Sequence, residues 1–190
     1  MLRGRTMKQS RLMTVGIAAL SFSVGCATAR PDPDTSAKSG DDTVEFFRRT
    51  DPGLDNFFAR AAGYAVFPTV GKGGMAVGGA YGTGVLYERG RAVGTTTLTQ
   101  VTVGFQLGGQ AYSEIIFFET DQALADFKGG QFAIAAEASA VALASGASAN
   151  AKYEQGVAIV TATKGGLMYE ASVGGQKFSY EPFGERSARK

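Results

Sequence analysis

The spacing of apolar residues changes from a helical period to a strand period near residue 63. Between residues 43 and 62, apolar positions recur every three or four residues and fall near one face of a helix. They are Val44, Phe47, Leu54, Phe57, Phe58 and Ala61. Pro52 and Gly53 interrupt the run, so the pattern predicts two short helices or one broken helix, with Asp51 or Asp55 capping the second piece.

After residue 63, apolar and polar side chains alternate, which is typical of β-strands. The alternation predicts a short strand at residues 65–68 that ends at Pro68. Loops are predicted at residues 88–91 and 164–166. The remaining predicted strands cover residues 84–87, 95–105, 113–118 and 157–163.

Three segments share the order of an apolar residue, a glycine pair and then an aromatic residue: 77–81, 107–112 and 173–178. Glycine within a strand marks a bulge, a tight bend or close backbone approach. Repeated glycine pairs therefore predict strongly bent strands. The fold class that follows is α+β: a strongly bent antiparallel sheet or partial barrel, packed by an N-terminal amphipathic helix and one or two short helices.

Two later segments complete the predicted elements. Residues 121–128 form a short helix, capped by Thr120 or Asp121 and ended by the glycine pair at 129–130. Residues 132–151 are ambiguous, because their alanine content favours a helix whereas the alternation of small residues suits a strand.

The first 25 residues have the features of a secretory signal peptide. Four basic side chains precede a mostly apolar run at Leu12–Val24, which is too short to span a bilayer. Residues 23–26, Ser-Val-Gly-Cys, resemble a bacterial lipobox, although Ser23 stands where such motifs most often have leucine. This resemblance implies cleavage before Cys26 and acylation of its thiol as a lipid anchor. The alternative is a plain secretory signal followed by an incidental cysteine.

Residues 26–42 lack apolar periodicity and are predicted to form a flexible tether. The folded domain is then expected at residues 43–185, with a basic tail at 186–190. Ala27 stands where an aspartate would suggest inner-membrane retention, so by analogy the outer membrane is favoured. Cleavage would leave 15 Lys and Arg against 17 Asp and Glu, so overall charge gives no reason to expect nucleic-acid binding.

Composition removes several classes of enzyme. The chain has 190 residues, 19% charged and 44% hydrophobic, as expected for one globular domain with a tail. It contains no histidine and one cysteine, which excludes Ser-His-Asp triads, histidine metal sites and intrachain disulfides. Glu114 and Glu119 face opposite sides of a strand, and the glycines at 71–74 do not fit a phosphate-binding loop. We therefore expect a non-catalytic protein without a metal or cofactor.

Two groups of residues are candidates for contact with lipid. The first is on the N-terminal helix: Phe47, Arg48, Arg49, Phe57, Phe58 and Arg60. Such a helix can lie in a membrane interface, or it can pack on the domain core with its arginines extending to solvent. The second group consists of basic turn residues, each either a solvated loop residue or a contact for an anionic head group: Lys72, Arg89, Arg91 and Lys164.

Several ordered blocks of the sequence resemble the SYLF domain family. The opening blocks are residues 62–68, 73–79 and 82–86, followed by Gly104-Phe105-Gln106-Leu107-Gly108-Gly109-Gln110. An acidic-apolar strand at 113–118, a short helix at 121–127 and Lys164-Gly165-Gly166-Leu167 follow, the last with an inserted glycine. The resemblance covers about residues 57–180, and it favours a strand over a helix at 132–151.

The resemblance implies a lipid-binding module. Similar domains of eukaryotic endocytic adaptors bind phosphoinositides through an N-terminal amphipathic helix and a basic surface, and some bind actin. Bacterial members include lipoproteins with phospholipid affinity. The helix maps to residues 46–62, but the late basic cluster of eukaryotic members is reduced here to residues 161–164. Because the predicted mature charge is also slightly acidic, phosphoinositide specificity is not expected. Actin is not an expected partner of a bacterial envelope protein.

Two functions follow as expectations. The first is a bacterial cell-envelope lipoprotein, anchored through Cys26 at the periplasmic face or surface of the outer membrane, whose domain binds phospholipid or another anionic lipid. The alternative is a structural or protein-interaction lipoprotein, with an envelope protein as its partner and the acyl anchor as its only membrane contact.

Overall fold

The computed structural model describes residues 32–75, 77–103, 109–130, 140–164 and 175–184. The chain divides into two compact units, Met1–Arg30 and Pro31–Lys190, and the described residues belong to the second. The predicted signal peptide, Cys26, the start of the predicted tether and the predicted basic tail lie outside the described residues.

The described part of this unit combines helices with a sheet of long strands. Helix α1 spans Pro33–Thr50, α2 spans Asp55–Arg60 and α3 spans Asp121–Lys128. Short 3₁₀ turns occupy Pro52–Leu54 and Ala147–Ala149. The strands are β1 (Gly63–Met75), β2 (Val77–Glu88), β3 (Arg91–Val103), β4 (Gly109–Phe118), β5 (Ala140–Ala142), β6 (Val157–Thr163) and β7 (Gln176–Pro182).

The seven strands form one sheet in the order β5-β6-β4-β1-β2-β3-β7. Neighbouring strands pair antiparallel except β5 and β6, which are parallel. The outer strands β5 and β7 do not pair with each other, so the sheet is not closed. The α+β class predicted from the sequence is confirmed.

A hydrogen bond across the interior shows how strongly the sheet is curled. The side-chain Nε2 of Gln176 on β7 donates to Oε2 of Glu114 on β4 over 3.1 Å. Four strand spacings separate these two strands, which would place them about 19 Å apart in a flat sheet. The sheet therefore curves until its concave side faces itself, as expected for the partial barrel that the glycine pairs predicted.

The concave side of the sheet carries the first of two apolar clusters. Phe67, Ile116 and Phe178 belong to it, although they come from strands on different parts of the curl. Phe127 of α3 packs into the same cluster, with its ring centroid 5.1 Å from that of Phe178. Helix α3 therefore closes the apolar end of the concave side.

The convex side carries the second cluster, which α1 and α2 cover. Phe47 of α1 and Phe58 of α2 are buried against it. The ring of Phe58 lies 4.9 Å from that of Phe117 and 5.0 Å from that of Tyr64, measured between centroids. Further along β1 and β2 on this side, Thr69, Gly71, Tyr81 and Thr83 are exposed, so this half of the convex side is left uncovered.

Helix α1 begins at Pro33, so the prediction of a flexible tether is wrong for residues 33–42. Asp32 caps the helix by accepting a hydrogen bond from the N–H of Asp34, and Pro33 suits the first turn. The buried residues that precede Phe47 on this helix are Gly40 and Thr43. Because they are small, they leave no run of large apolar residues from which a helical period could be detected.

Strand β1 continues through Pro68, so the predicted end of the strand there is wrong. The pairing of β1 with both of its neighbours shifts register around this proline. Such an irregularity removes the need for an N–H group in the ladder, and it is where proline is tolerated within a sheet. The carbonyl of Pro68 accepts a 2.8 Å hydrogen bond from the hydroxyl of Ser113.

The shorter elements agree with the sequence prediction. Helix α3 has the predicted bounds, with Thr120 accepting a hydrogen bond from the N–H of Ala123 and Gly129 ending the helix. The break after α1 is present, and Asp51 caps the 3₁₀ turn that follows it. Of the ambiguous segment 132–151, residues up to 139 lie outside the described residues; Ala140–Ala142 form a strand, and a 3₁₀ turn follows at Ala147–Ala149.

Candidate functional site

The uncovered half of the convex side is a regular array of hydroxyl-bearing and small residues. One line of paired residues crosses four strands: Thr69 of β1, Thr83 of β2, Thr97 of β3 and Ser179 of β7. The hydroxyls of Thr97 and Ser179 are hydrogen-bonded to each other. Paired residues lie about 5 Å apart, so the line is about 15 Å long.

Two further lines extend this surface toward the strand ends. The first line consists of Gly71, Tyr81, Thr99 and Lys177, paired in that order across the same four strands. In the second, Gly73 pairs with both Gly79 and Gly109, and Gly79 pairs with Val101. We call the surface formed by these three lines the open face.

Two apolar side chains stand above the glycines of the open face. Tyr81 is 58% exposed and Val101 is 74% exposed. No atom lies within 4 Å of the point where a side chain would begin at Gly71. A partner can therefore approach the backbone closely at Gly71 while it contacts the two apolar side chains.

Lysines stand at the two edges of the open face. Lys164, directly after β6, donates from Nζ to the hydroxyl of Thr69 over 3.0 Å. Lys177 is exposed on the edge strand β7. No residue of the three lines is acidic, and the next acidic residue on the same side of β7 is Glu181, two residues beyond Ser179. The open face is therefore positively charged and suits an anionic partner.

A second polar group lies on the concave side, and we call it the concave polar group: Tyr112, Glu114 and Gln176. Glu114 and Gln176 have no exposed surface. Nε2 of Gln176 donates to Glu114 and, over 3.4 Å, to the hydroxyl of Tyr112. Burial raises the pKa of Glu114 to about 7, although the hydrogen bond from Gln176 acts in the opposite direction. Burial also raises the pKa of Tyr112, and the charge of Glu114 adds to this effect.

The sequence of this sheet matches a family model. The model is Ysc84, described as "Las17-binding protein actin regulator", and it matches residues 99–182. Over these residues the chain matches the SYLF domain family. The matched range runs from β3 to the end of β7 and contains Glu114, Lys164 and Lys177. The match confirms the resemblance over residues 99–182, whereas the opening blocks at 62–86 lie outside the matched range. A search of curated proteins finds no match.

The phenylalanines that the sequence offered for lipid contact are packed on the sheet. Phe47 and Phe58 are buried in the convex cluster. Phe57 is half-buried, with its ring centroid 5.4 Å from that of Phe117 and 5.5 Å from that of Tyr153. These side chains hold α1 and α2 on the sheet, so the membrane-facing interpretation of this helix is corrected in favour of the packing alternative.

The arginines of the same helices extend over that packed surface. The guanidinium of Arg48 lies 4.4 Å from the ring centroid of Phe58, and its Nε is 3.4 Å from Asp55. Arg49 forms an exposed ion pair with Glu45, and Arg60 is exposed at the end of α2. Exposed pairs of this kind contribute less than about 1 kcal/mol to stability.

The basic turn residues of the SYLF domain do not form one patch. Lys72 pairs with Ala80 and points to the concave side, whereas Arg91 pairs with Glu88 at the far end of β2. Eight residues of a strand separate these positions, which is about 26 Å. Arg89 is exposed in the hairpin turn beside Arg91. Of the four candidates, Lys164 lies beside the open face.

Lys177 and the threonine line were missed as site residues. Thr95, Thr97 and Thr99 alternate in the sequence, which is a signal for a hydroxyl-bearing strand face, but the pairing of their strand with β2 and β7 is not visible locally. Within the described ranges, no helix is long and apolar enough to cross a membrane. Over the same residues, no cluster of three or more His, Cys, Asp or Glu side chains could hold a metal ion.

Proposed function

We propose that this protein is a lipid-anchored envelope lipoprotein whose SYLF domain binds anionic phospholipid through the open face. The observation that carries the proposal is the pair of lysines, Lys164 and Lys177, at the edges of an exposed face without acidic residues. Membership of a family known for lipid binding supports it. The proposed role is binding without catalysis.

The polar side chains, the exposed apolar side chains and the glycines of the open face each suit contact with a membrane surface. Lysine ammonium groups attract phosphate head groups, and the threonine hydroxyls can donate hydrogen bonds to phosphate oxygens. The exposed Tyr81 and Val101 can enter the boundary between head groups and acyl chains, where tyrosine is favoured. The glycines between them leave the backbone uncovered, so head groups can approach the strands closely there.

The strength expected of this face is modest. Each lysine near an anionic membrane contributes about 1 kcal/mol, so two contribute about 2 kcal/mol. With insertion of Tyr81 and Val101 in addition, this gives weak, reversible binding of the domain alone, which becomes stronger when another anchor holds the domain nearby. Acylation of Cys26 would supply this anchor. The run of basic residues, the short apolar segment and the lone cysteine at the lipobox support it, and Ala27 supports placement at the outer membrane.

A structural or protein-interaction lipoprotein is the second candidate. The observation that favours it is the description of the matching family model, which names binding to the protein Las17 and regulation of actin. We do not transfer either partner to this chain, because an exported lipoprotein would meet envelope proteins instead. In this case the acyl chain would be the only membrane contact.

Flotation with vesicles distinguishes the two functions. Residues 27–190, which contain the whole compact unit Pro31–Lys190 and lack Cys26, are mixed with vesicles that are either zwitterionic or rich in anionic phospholipid. We expect binding to the anionic vesicles that falls as salt is added. The double substitution Lys164→Gln and Lys177→Gln should weaken it by roughly 30-fold, from about 2 kcal/mol. Arg89→Gln with Arg91→Gln, which removes the same charge elsewhere, should have little effect. Absence of binding under every condition would favour the protein-interaction alternative.

A further inference from the structure

Two buried oxygens of the concave polar group have no hydrogen-bond donor. They are Oε1 of Glu114 and Oε1 of Gln176. The other polar atoms of the two side chains are engaged, since Nε2 of Gln176 donates to Oε2 of Glu114. A buried acceptor without a donor costs about 1–3 kcal/mol. When Glu114 is protonated, its own O–H can donate to Gln176; when it is ionised, both oxygens lack a donor, and a cationic ligand with N–H groups would supply the donors in that state.

A line of polar side chains leads to this pair from the start of β4. Gln110, Tyr112 and Glu114 are alternate residues and face the concave side. Gln110 is half-buried, whereas Tyr112 and Glu114 are buried. Lys72 pairs with Gln110 and is half-buried on the same side. These side chains form a polar strip on the concave side that runs from the start of β4 to Glu114.

The charge and number of acceptors select the class of ligand. Glu114 carries the negative charge of the group, because Gln176 and Tyr112 are neutral, so one positive charge balances it. Calcium requires six to eight oxygen ligands, whereas a primary ammonium has three N–H donors. The free oxygens of Glu114 and Gln176, with the second lone pair of the Tyr112 hydroxyl, supply three acceptors.

We propose that Glu114 and Gln176 form a binding site for a primary ammonium group. The site lies on the opposite side of the sheet from the open face, so it does not depend on the proposed function. A free small amine and the head group of an aminophospholipid both carry this chemistry. The second source would connect the site to lipid recognition.

Thermal unfolding of the full chain carrying Cys26→Ser tests the proposal, at pH 8 and constant ionic strength. Methylammonium chloride should raise Tm with the logarithm of its concentration, as a ligand of the folded state does. Tetramethylammonium, which has no N–H donor, and potassium should not. Glu114→Gln should abolish the rise, and Glu119→Gln, which removes an exposed carboxylate just after β4, should preserve it. An equal rise with all three cations, or a rise retained in Glu114→Gln, would overturn the proposal, as would no rise with methylammonium.

A second measurement does not depend on the folding of any variant. In the unsubstituted chain, methylammonium should lower the pH midpoint of the Glu114 carboxyl ¹³C resonance, because a bound cation favours the carboxylate. An unchanged midpoint would contradict the site.

Vesicle flotation then separates the two sources of the amine. Binding that increases from phosphatidylcholine to phosphatidylethanolamine vesicles, and that Glu114→Gln removes, identifies the lipid head group. A methylammonium effect without that increase identifies a free amine. Lys164→Gln with Lys177→Gln should leave the methylammonium effect intact, so failure of the open face and failure of this site are distinguishable.

Discussion

The hydroxyl of Tyr87 on β2 donates a 2.8 Å hydrogen bond to Oδ1 of Asp41 on α1. It also lies 3.2 Å from the carbonyl oxygen of Ala37. Burial raises the pKa of Tyr87, and the hydrogen bond to Asp41 adds to this, so the hydroxyl remains a donor at neutral pH. Both acceptors belong to the segment that the sequence predicted as a tether. Tyr87 therefore connects the first half of α1 to the sheet.

Gly40→Ala tests how closely α1 lies on Tyr87. A Cβ at Gly40 would overlap the Tyr87 hydroxyl. In an exposed helix, alanine in place of glycine stabilises by about 1 kcal/mol. Here we expect destabilisation of about 1–3 kcal/mol, because overpacking outweighs helix propensity. Urea unfolding followed by circular dichroism measures the change, and a gain in stability would contradict the contact.

Tyr87→Phe provides the matched background for that substitution. Removing the hydroxyl should itself cost about 1–3 kcal/mol, because it breaks a hydrogen bond to a carboxylate. In this background Gly40→Ala should cost less, since the atom that it would overlap is gone. Additive effects of the two substitutions would show that they do not interact.

The accuracy of the sequence prediction depended on whether the cause of each element was local. Thr120 and Gly129 bound α3 through contacts within a few residues, so its limits were predicted. The start of α1 depends on Gly40 packing against Tyr87, which is 47 positions away, and no local pattern reports such a contact. The prediction that the first strand ends at Pro68 was wrong for the same reason. A register shift with both partner strands accommodates the proline, and the local sequence does not report that shift.

Asp51 should make stability dependent on pH in the acid range. Its side chain accepts hydrogen bonds from the N–H groups of Ser148, over 2.6 Å, and Gly53, over 3.0 Å. Burial alone would raise its pKa, but these hydrogen bonds outweigh burial and lower the pKa below its usual value. A lowered folded-state pKa gives stability that is present above the unfolded-state pKa and is lost as pH falls through the folded-state pKa.

Asp51→Asn checks this dependence. We expect a loss of about 1–3 kcal/mol at pH 6, because a charge-assisted acceptor is replaced by a neutral one. The difference in the free energy of unfolding between Asp51→Asn and the unsubstituted protein should become smaller at pH 3. Denaturant unfolding at the two pH values measures it, and an equal difference at both would contradict the role of the charge.

Glu114 should make the protein less stable as pH rises near neutrality, the opposite of the effect of Asp51. Its folded-state pKa is raised from 4.5 to about 7, so its contribution is fully present below pH 4.5 and is lost as pH rises through 7. The difference between the folded-state and unfolded-state pKa values corresponds to about 3 kcal/mol of unfolding free energy. In amine-free buffer we expect the free energy of unfolding to fall by roughly that amount between pH 5 and pH 8. Glu114→Gln should remove this part of the slope and Glu119→Gln should not; an unchanged slope in Glu114→Gln would count against a buried ionising carboxyl.

In the candidate site too, residues with a local sequence signal were predicted, and residues placed by strand pairing were not. Lys164 was identified from its own turn, since a basic residue beside glycines is a local signal. Lys177 has no such signal, and it joins the open face because β7 pairs with β3 in one register. A shift of that register by one residue would send Lys177 to the concave side. Glu114 was correctly separated from Glu119 by alternation, but its contact with Gln176 depends on the curl of the whole sheet.

The most direct test of the open face uses the absence of tryptophan from the chain. Tyr81→Trp places a single tryptophan on the open face, and Arg89→Trp places one at the β2–β3 turn as the control. On addition of anionic vesicles to residues 27–190 carrying Tyr81→Trp, the fluorescence should shift to shorter wavelength and be quenched by brominated lipid. The emission of the Arg89→Trp variant should remain that of a solvated side chain. A shift at position 89 alone, or no shift at position 81 while the protein floats with the vesicles, would contradict binding through the open face.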